Sequence, residues 1–383
     1  MIVKKSELKK PPKSVVVVFY AIMIILFAAC FELILRTQQS FHQIYDLELN
    51  DLARLRASDT LNHMPKSGQA ADGREYDQFG VRRYSGLEKP AICPQPIKIL
   101  FLGDSFMDGY DDGHTIPSIL SKLFTKENIC IEPFNAGLSS YSPAIFVPQL
   151  RTLYPVIKPD YVVVDIDETD FFDDNVRYKQ FITRDELGRN IGVKAPDAYR
   201  GLIAEIEDIR SQRLYIVRLL KVVFGTYVKA FSYKGNTDKK SMEVSPVFEL
   251  SSLDPAAARE KFKNELAFFK GNVEELVSVL EESHFPLSHL IFIRHPHLNH
   301  LLNGSAGPIF NSVVFETVKD VAETKNVAIY DATPDLRLIF KDKPESYYFP
   351  NDMHFNFDGM AAYSKVVADR LRPLLSDEQS RSR

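Results

Sequence analysis

The sequence predicts an α/β fold in which a parallel sheet is covered by helices on both faces. Continuous apolar runs are typical of fully buried parallel strands, and five such runs occur: IKILFLG (97–103), ICIEPFN (129–135), DYVVVDI (160–166), LIFIRHP (290–296) and VAIYDAT (327–333). Helical patterns alternate with them, at 115–127, 142–157, 311–326 and 356–375. Polar residues directly follow the first three runs, which places a ligand site at the carboxyl edge of the sheet.

Composition excludes some classes of function. The chain has 383 residues, of which 45% are hydrophobic, and a formal net charge of -4 at pH 7. This balance, with a sequence pI near 6.2 and no basic stripe, argues against a nucleic-acid partner.

The N-terminus predicts a membrane anchor. Five lysines and one glutamate precede 17 uninterrupted apolar residues at 15–31. The apolar segment, taken as 15–35, is about 30 Å long as a helix, which is enough to span a bilayer. Residues 1–14 are then a basic cytoplasmic tail, and the chain after residue 36 lies outside the cytoplasm. The alternative is cleavage or lipidation at Cys30, in LFAAC.

The remaining chain divides into four predicted parts. Residues 36–96 form a stalk and lead-in segment, and residues 97–375 form the α/β domain. An insertion at 174–285 interrupts that domain with a hairpin around a Leu-Gly turn and two helical stretches. It is either a lid or a purely structural addition. Residues 376–383 are expected to be a disordered tail.

Cys93 and Cys130 lie at or just before two predicted strands. If those strands are neighbours, the two residues can form a disulfide in an oxidising compartment. Two buried free thiols are the alternative.

Two short motifs suggest a nucleophilic serine. Ser105, in GDSF, directly follows the first strand, and Asp352-x-His354 lies on a turn just before the last helix. An aspartate two residues before a histidine can hold the imidazole by one nitrogen. The other nitrogen is then free to take a proton from a serine.

The chain carries three motifs in a fixed order: GDS at 103–105, NAG at 135–137 and Asp-x-His at 352–354. In this order of motifs it resembles the SGNH (GDSL-like) hydrolases. The resemblance is to bacterial members with an N-terminal membrane anchor and covers residues 75–375. It implies a flavodoxin-like three-layer sandwich with a five-stranded parallel sheet in the order 2-1-3-4-5. It also implies roles for individual residues: Ser105 as nucleophile, His354 as base, Asp352 as its orienter, Gly137 and Ser105 as backbone oxyanion donors, and Asp104, Asn135, Asp170 and His295 as site-lining residues.

One block departs from the family pattern. The third block is usually G-x-N-D, and its Asn side chain is an oxyanion donor, but the chain has DIDETD at 165–170. Alignment on Asp170 puts Thr169 at the Asn position. We therefore expect either a weaker or rearranged oxyanion hole, with Thr169 as its third donor, or a different acyl chemistry, in an unusually acidic site.

The acidic block also permits a metal-dependent interpretation. Asp165–Thr169 matches the DxDxT nucleophile motif of haloacid dehalogenase-like phosphatases, and residues 103–108 match their GDxxxD metal motif. The two motifs occur here in the reverse order, which disfavours this hypothesis. His295, His297 and His300 are expected to be surface or pocket-lining residues. A zinc site is the less favoured alternative, because no cysteine or carboxylate lies near them in the sequence. No metal or other cofactor is therefore expected.

The resemblance implies a periplasmic serine esterase anchored in the bacterial inner membrane. Its expected substrate is an O-acyl ester, above all an O-acetyl ester, of a carbohydrate or cell-envelope component, and polysaccharide machinery is a possible partner. The alternatives are an O-acetyltransferase using the same triad, a non-catalytic polysaccharide-binding or assembly factor, and a Mg²⁺-dependent phosphatase.

Overall fold

The structure is a computed structural model, and it describes residues 12–37, 52–70, 73–84, 87, 93, 95–221, 253–302, 312–341, 343–350 and 352–381. The chain forms two units. One comprises residues 1–53 and 201–241, and the other comprises residues 54–200 and 242–383. Most of the predicted basic tail, part of the stalk (38–51) and residues 222–252 of the insertion lie outside the described residues.

The helices of the α/β fold and the N-terminal segment have the following bounds: α1 Lys13–Thr37, α2 Ser105–Asp108, α3 Ile116–Lys126, α4 Pro143–Ile157, α5 Glu168–Phe172, α6 Asp197–Ser211, α7 Pro255–Lys261, α8 Lys263–Glu282, α9 Leu298–Leu301, α10 Val313–Thr324, α11 Thr333–Phe340 and α12 Phe357–Arg381. A π-helical turn, Asp173–Tyr178, follows α5, and a short helix also spans residues 215–221. The last helix continues past the predicted boundary at residue 375, where a disordered tail was expected.

The strands, in chain order, are β1 Leu55–Ala57, β2 His63–Pro65, β3 Gly68–Gln69, β4 Glu75–Tyr76, β5 Arg82–Arg83, β6 Ile97–Leu102, β7 Ile131–Asn135, β8 Tyr161–Asp165, β9 Ile182–Arg184, β10 Asn190–Val193, β11 Leu290–Arg294 and β12 Ala328–Asp331. Five of them form the parallel sheet in the spatial order β7-β6-β8-β11-β12. This is the order 2-1-3-4-5, so the predicted topology is confirmed.

Helices cover both faces of this sheet. On one face, Ile99, Phe101 and Val163 pack in one apolar cluster with α3 and α12, which contribute Phe124 and Tyr363 among others. On the other face, α8 packs between α4 and α10. The strands are apolar on both faces because neither face meets water.

The lead-in segment adds three short strands that the sequence did not predict. β5 pairs antiparallel with β7 through Arg82 and Asn135, and β4 and β3 continue the sheet outward. Strands of two residues carry almost no periodic signal, which explains why they were missed.

The N-terminal helix α1 is long and apolar enough to span a membrane. It has 25 residues and a mean hydropathy of 2.8 over its most apolar window, and none of that window is buried in protein. In the same unit, the Glu32 carboxylate accepts hydrogen bonds from the backbone N–H groups of Tyr215 and Ile216, each at 3.0 Å. Glu32 therefore caps the first turn of the helix at 215–221.

The predicted hairpin of the insertion is present. β9 and β10 pair antiparallel, and the turn between them places Gly188 at a φ of 77°. The Asp185 carboxylate fixes the turn by accepting the N–H groups of Leu187 and Arg189. Cys93 and Cys130 are joined by a disulfide, with 5.7 Å between their Cα atoms.

The hairpin of β1 and β2 holds the loop that follows β7. His63 on β2 is buried, and its Nε2 lies 2.9 Å from the Ser139 carbonyl oxygen. The Tyr141 hydroxyl donates back to the His63 carbonyl at 2.6 Å. Burial, reinforced by the positive charges of Arg177 and Arg54, lowers the pKa of His63 to about 4, although the bond to Ser139 opposes the shift.

We predict that His63 makes the stability of the protein fall in weak acid. The neutral ring is favoured in the folded state, so its contribution is complete above pH 6.5 and is lost as the pH falls toward 4. The shift is worth about 3 kcal/mol in the free energy of unfolding. His63→Gln keeps a hydrogen-bond donor for the Ser139 carbonyl oxygen but does not titrate. The unfolding free energy that is lost between about pH 7 and about pH 4.5 should therefore be smaller in this variant by roughly 2–3 kcal/mol. The measurement is denaturant unfolding at both pH values, with the half-exposed His114→Gln as control. An unchanged pH dependence in His63→Gln would contradict the assignment.

Candidate active site

The turn that carries Ser105 begins directly after β6. Asp104 is the N-cap of α2, and its Oδ1 accepts the Phe106 N–H at 2.9 Å. The Ser105 hydroxyl lies 3.4 Å from the other oxygen of Asp104. The Gly-Asp-Ser sequence therefore ends the strand and starts a single helical turn with Ser105 at its first position.

Two glycines allow this turn to lie close to the sheet. A Cβ atom added at Gly103 would lie 2.8 Å from Met107 Cβ, and one added at Gly137 would lie 2.5 Å from the same atom. The Gly137 position would also be 3.1 Å from the Asp108 backbone nitrogen. The glycine of each block is thus required because α2 packs on both strand ends.

The far end of the turn is held by a buried carboxylate. Asp108 Oδ2 accepts from Arg54 at 2.7 Å and from Arg74 at 3.3 Å. The Tyr76 hydroxyl donates to Asp108 Oδ1 at 3.1 Å, and Arg82 donates to the Asp108 carbonyl at 2.6 Å. All four partners belong to the lead-in segment, whose role in the site the sequence did not reveal.

Ser105, His354 and Asp352 form a continuous hydrogen-bonded chain. Ser105 Oγ lies 2.7 Å from His354 Nε2, and His354 Nδ1 lies 2.5 Å from Asp352 Oδ1. Partial burial opposes ionisation of Asp352, but the His354 hydrogen bond and charge hold its pKa below the ordinary value. The side chains of His354 and Asp352 are 25% and 42% exposed, so water reaches this chain.

Two of the predicted oxyanion donors, Gly137 and Thr169, have other hydrogen-bond partners in this structure. The Gly137 N–H donates to Asn135 Oδ1 at 3.0 Å, and Asn135 Nδ2 donates to the Met107 carbonyl at 2.9 Å. The predicted site-lining residue Asn135 therefore ties the NAG loop to the Ser105 turn. The Thr169 hydroxyl donates to Asp167 Oδ1 at 2.7 Å.

Two predicted lining residues, Asp104 and Asp170, lie in a buried acidic cluster. Burial and the neighbouring carboxylates of Asp167 and Asp165 raise the pKa of Asp104 to about 6, although His295 opposes the shift. Burial, with the charges of Asp167 and Asp104, raises the pKa of Asp170 well above its usual range. Asp170 Oδ2 accepts the Asp167 N–H and completes the capping box of α5.

The histidines of the HPHLNH segment are buried and have carboxylate partners, which corrects the expectation from the sequence. His295 Nδ1 lies 3.0 Å from Asp165 Oδ1, and Asp167 Oδ2 lies 3.1 Å from His295 Nε2 and 2.5 Å from His297 Nε2. The local sequence gave no sign of these partners because they lie on a different strand, Asp165 at the end of β8 and Asp167 just after it.

The geometry also bears on the phosphatase hypothesis. Asp165 would be the attacking carboxylate of a DxDxT motif, yet its side chain is 0% exposed and is bonded to His295 and Tyr363. A phosphoryl group cannot reach it in this arrangement.

Aromatic rings lie beside His354. The Tyr110 ring centroid lies 4.8 Å from that of Phe349, 6.2 Å from that of Phe357 and 6.4 Å from that of His354. Tyr110 and Phe357 are 36% and 44% exposed. We call Tyr110, Phe349 and Phe357 the aromatic rim.

The resemblance to SGNH hydrolases implies this strand order. It also implies that the GDS turn, the NAG loop and the Asp-x-His segment lie together, as they do here. This is an SGNH hydrolase-like fold. No family model matches the sequence, and no curated protein matches it.

Several solved structures are similar to this one. A lipase/acylhydrolase from Enterococcus faecalis is 12% identical, with 72% of this chain and 95% of that chain covered and a TM-score of 0.40. The esterase EstA from Pseudoalteromonas sp. is 12% identical, with 73% and 99% covered and a TM-score of 0.39. An acetyl-xylooligosaccharide esterase from Geobacillus is 14% identical, with 75% and 95% covered and a TM-score of 0.39.

We predict that Gly137→Ala destabilises the protein and displaces the Ser105 turn. The added methyl group overlaps Met107, and overpacking of this kind costs about 1–3 kcal/mol in the free energy of unfolding. Gly271→Ala is the matched control, because a Cβ there meets nothing within 4 Å and the residue lies inside α8. That variant should be neutral or more stable by up to about 1 kcal/mol. Equal stability of the two variants in denaturant unfolding would show that the turn does not need the glycine.

Proposed function

We propose that this protein is a membrane-anchored serine esterase of the SGNH type that hydrolyses O-acyl esters. The observation that carries the proposal is the hydrogen-bonded chain Ser105–His354–Asp352, at 2.7 Å and 2.5 Å. The three residues come from segments about 250 residues apart in the chain, yet they meet in the order that nucleophilic catalysis requires.

Ser105 attacks the ester carbonyl carbon while its proton passes to His354 Nε2. Asp352 holds the other nitrogen and stabilises the imidazolium that forms. The tetrahedral intermediate then expels the alcohol, which takes the proton from His354, and leaves an acyl-Ser105. Water attacks this acyl group with His354 again as base, which releases the carboxylic acid and restores the serine.

The proposed oxyanion donors are the backbone N–H groups of Ser105 and Gly137. Gly137 lies against the Ser105 turn, and Asn135 is bonded to both segments. A tetrahedral oxyanion would compete with Asn135 Oδ1 for the Gly137 N–H, and its full negative charge favours the oxyanion. Each such donor is worth about 3–4 kcal/mol of transition-state stabilisation.

The proposed substrate is an O-acetyl ester of a carbohydrate in the cell envelope. The resemblance to anchored SGNH members supports this class, and the aromatic rim provides exposed ring faces beside His354 on which a sugar ring can lie. With α1 as the anchor and lysines on its cytoplasmic side, the domain would face the periplasm, where polysaccharide machinery is a potential partner. Solvent access to His354 and Asp352 favours hydrolysis over transfer to another acceptor.

We predict that Ser105→Ala abolishes hydrolysis of a small acetyl ester such as 4-nitrophenyl acetate. Loss of the nucleophile should lower kcat/KM by about 10³-fold or more, since the residual rate comes only from the remaining site. Ser278→Ala, which removes an exposed hydroxyl on α8, should retain full activity.

The assay uses the full-length protein in detergent micelles, and circular dichroism verifies that both variants fold. Equal rates for Ser105→Ala and the unmodified protein would remove Ser105 from the nucleophile role. Acetyl transfer to an added sugar in excess of acetate release would favour the transferase alternative.

We predict that Thr169 contributes little to the oxyanion hole, contrary to the expectation from sequence alignment. Its hydroxyl donates to Asp167, so Thr169→Val should lower kcat/KM by less than about 10-fold, whereas loss of an oxyanion donor costs about 10²–10³-fold. Thr169→Ser keeps the hydroxyl and is the control. A loss of about 10²-fold in the Val variant, with near-normal activity in the Ser variant, would restore Thr169 as the third donor.

A further inference from the structure

We propose that Asp167, His295 and His297 form a binding site for one divalent transition-metal ion, with zinc the best-suited metal. The three side chains each offer one ligand atom, and these atoms lie within 4.8 Å of one another. Two imidazoles and one carboxylate are a ligand set that zinc accepts, with water in the fourth position.

The ligand atoms converge on Asp167 Oδ2. It lies 3.1 Å from His295 Nε2 and 2.5 Å from His297 Nε2. The side chains of His295, His297 and Asp167 are 1–3% exposed, so bulk water does not compete for them. Small outward rotations of these side chains would bring all three atoms to zinc distance, about 2.0–2.2 Å.

The outer partners of His295 and Asp167 match those of metal ligands. A metal-bound histidine usually donates its second ring N–H to a carboxylate, and His295 Nδ1 lies 3.0 Å from Asp165 Oδ1. That oxygen also accepts the Tyr363 hydroxyl at 3.2 Å. Asp167 Oδ1 accepts the N–H and the hydroxyl of Thr169, which leaves Oδ2 facing the histidines.

Within the described part of the chain, some buried atoms of this cluster lack hydrogen-bond partners. His295 Nε2 is one of them, because its contact with Asp167 Oδ2 does not have hydrogen-bond geometry. Asp165 Oδ2 and Asp170 Oδ1 are also buried without partners. A buried polar atom left unsatisfied is costly, and a cation bound by His295 Nε2 and Asp167 would satisfy the nitrogen and offset the excess of carboxylates.

The site would lie behind Phe106, the residue after the proposed nucleophile. The Phe106 ring stacks on His295 with centroids 3.6 Å apart and lies 5.0 Å from the His354 ring. A metal there would tie the ends of β8 and β11 together beneath the Ser105 turn. It would therefore have a structural role, and its presence does not depend on the esterase chemistry.

The test is the metal content of the full-length, tag-free protein, purified in detergent from cells supplied with zinc and dialysed against metal-free buffer. We expect about one zinc per chain by inductively coupled plasma mass spectrometry. Asp167→Asn and His297→Ala should each reduce this zinc content at least about tenfold. His114→Ala, which removes a histidine on a surface loop, is the matched control and should keep the metal. Equal zinc in all four proteins would show adventitious binding and overturn the proposal.

Cobalt gives a second measurement that needs no variant to fold. Addition of Co²⁺ to chelator-treated protein should produce visible d–d absorption of a nitrogen- and oxygen-coordinated tetrahedral site, which zinc then abolishes by displacement. The chelator-treated protein should also melt at a lower temperature and regain its stability with Zn²⁺ but not with Mg²⁺. Absence of both the cobalt bands and bound zinc would overturn the proposal, whether or not the protein hydrolyses esters.

Discussion

The close packing of the Ser105 turn between two glycines and a buried carboxylate is the constraint on which the site depends. Gly103 and Gly137 let the turn approach the ends of β6 and β7, and Asp108 anchors its far end. Removal of one partner from a buried ion pair costs about 3–5 kcal/mol, because the other charge is left buried and unpaired. The pair formed by Arg54 and Asp108 is of this kind, with side chains 2% and 4% exposed.

The lead-in segment supplies the partners that hold the Ser105 turn. Four of its side chains donate hydrogen bonds to Asp108 at the end of that turn: Arg54, Arg74, Tyr76 and Arg82. His63 contacts the Ser139 carbonyl in the loop after β7. The segment therefore builds the outer wall of the site from residues that precede the first parallel strand. Its short strands β3 to β5 extend the sheet edge and help to place these side chains.

The predictions from sequence succeeded for features that depend on local pattern and missed the charged pairs formed between distant segments. The five parallel strands were found because each is a continuous apolar run, and Ser105 and His354 because each lies in a motif at an element boundary. The carboxylate partners of His295 and His297 were missed because they lie about 130 residues earlier. The strand order could have revealed them: β8 and β11 are neighbours, Asp165 is level with Ile293, and Asp167 is therefore level with His295. Alignment with the family pattern predicted that the Thr169 hydroxyl is an oxyanion donor. In the structure this hydroxyl donates its hydrogen bond to Asp167 Oδ1 instead.

If Ser105 is an activated nucleophile, it should react with a covalent label for catalytic serines. The full-length protein would be treated with a fluorophosphonate, which reacts with a serine only when a base removes its proton, and the adduct would be mapped by peptide mass spectrometry. We expect one adduct, on Ser105, that His354→Ala eliminates while the fold is retained. No adduct on Ser105, or one equally abundant without His354, would contradict the proposed nucleophilic role.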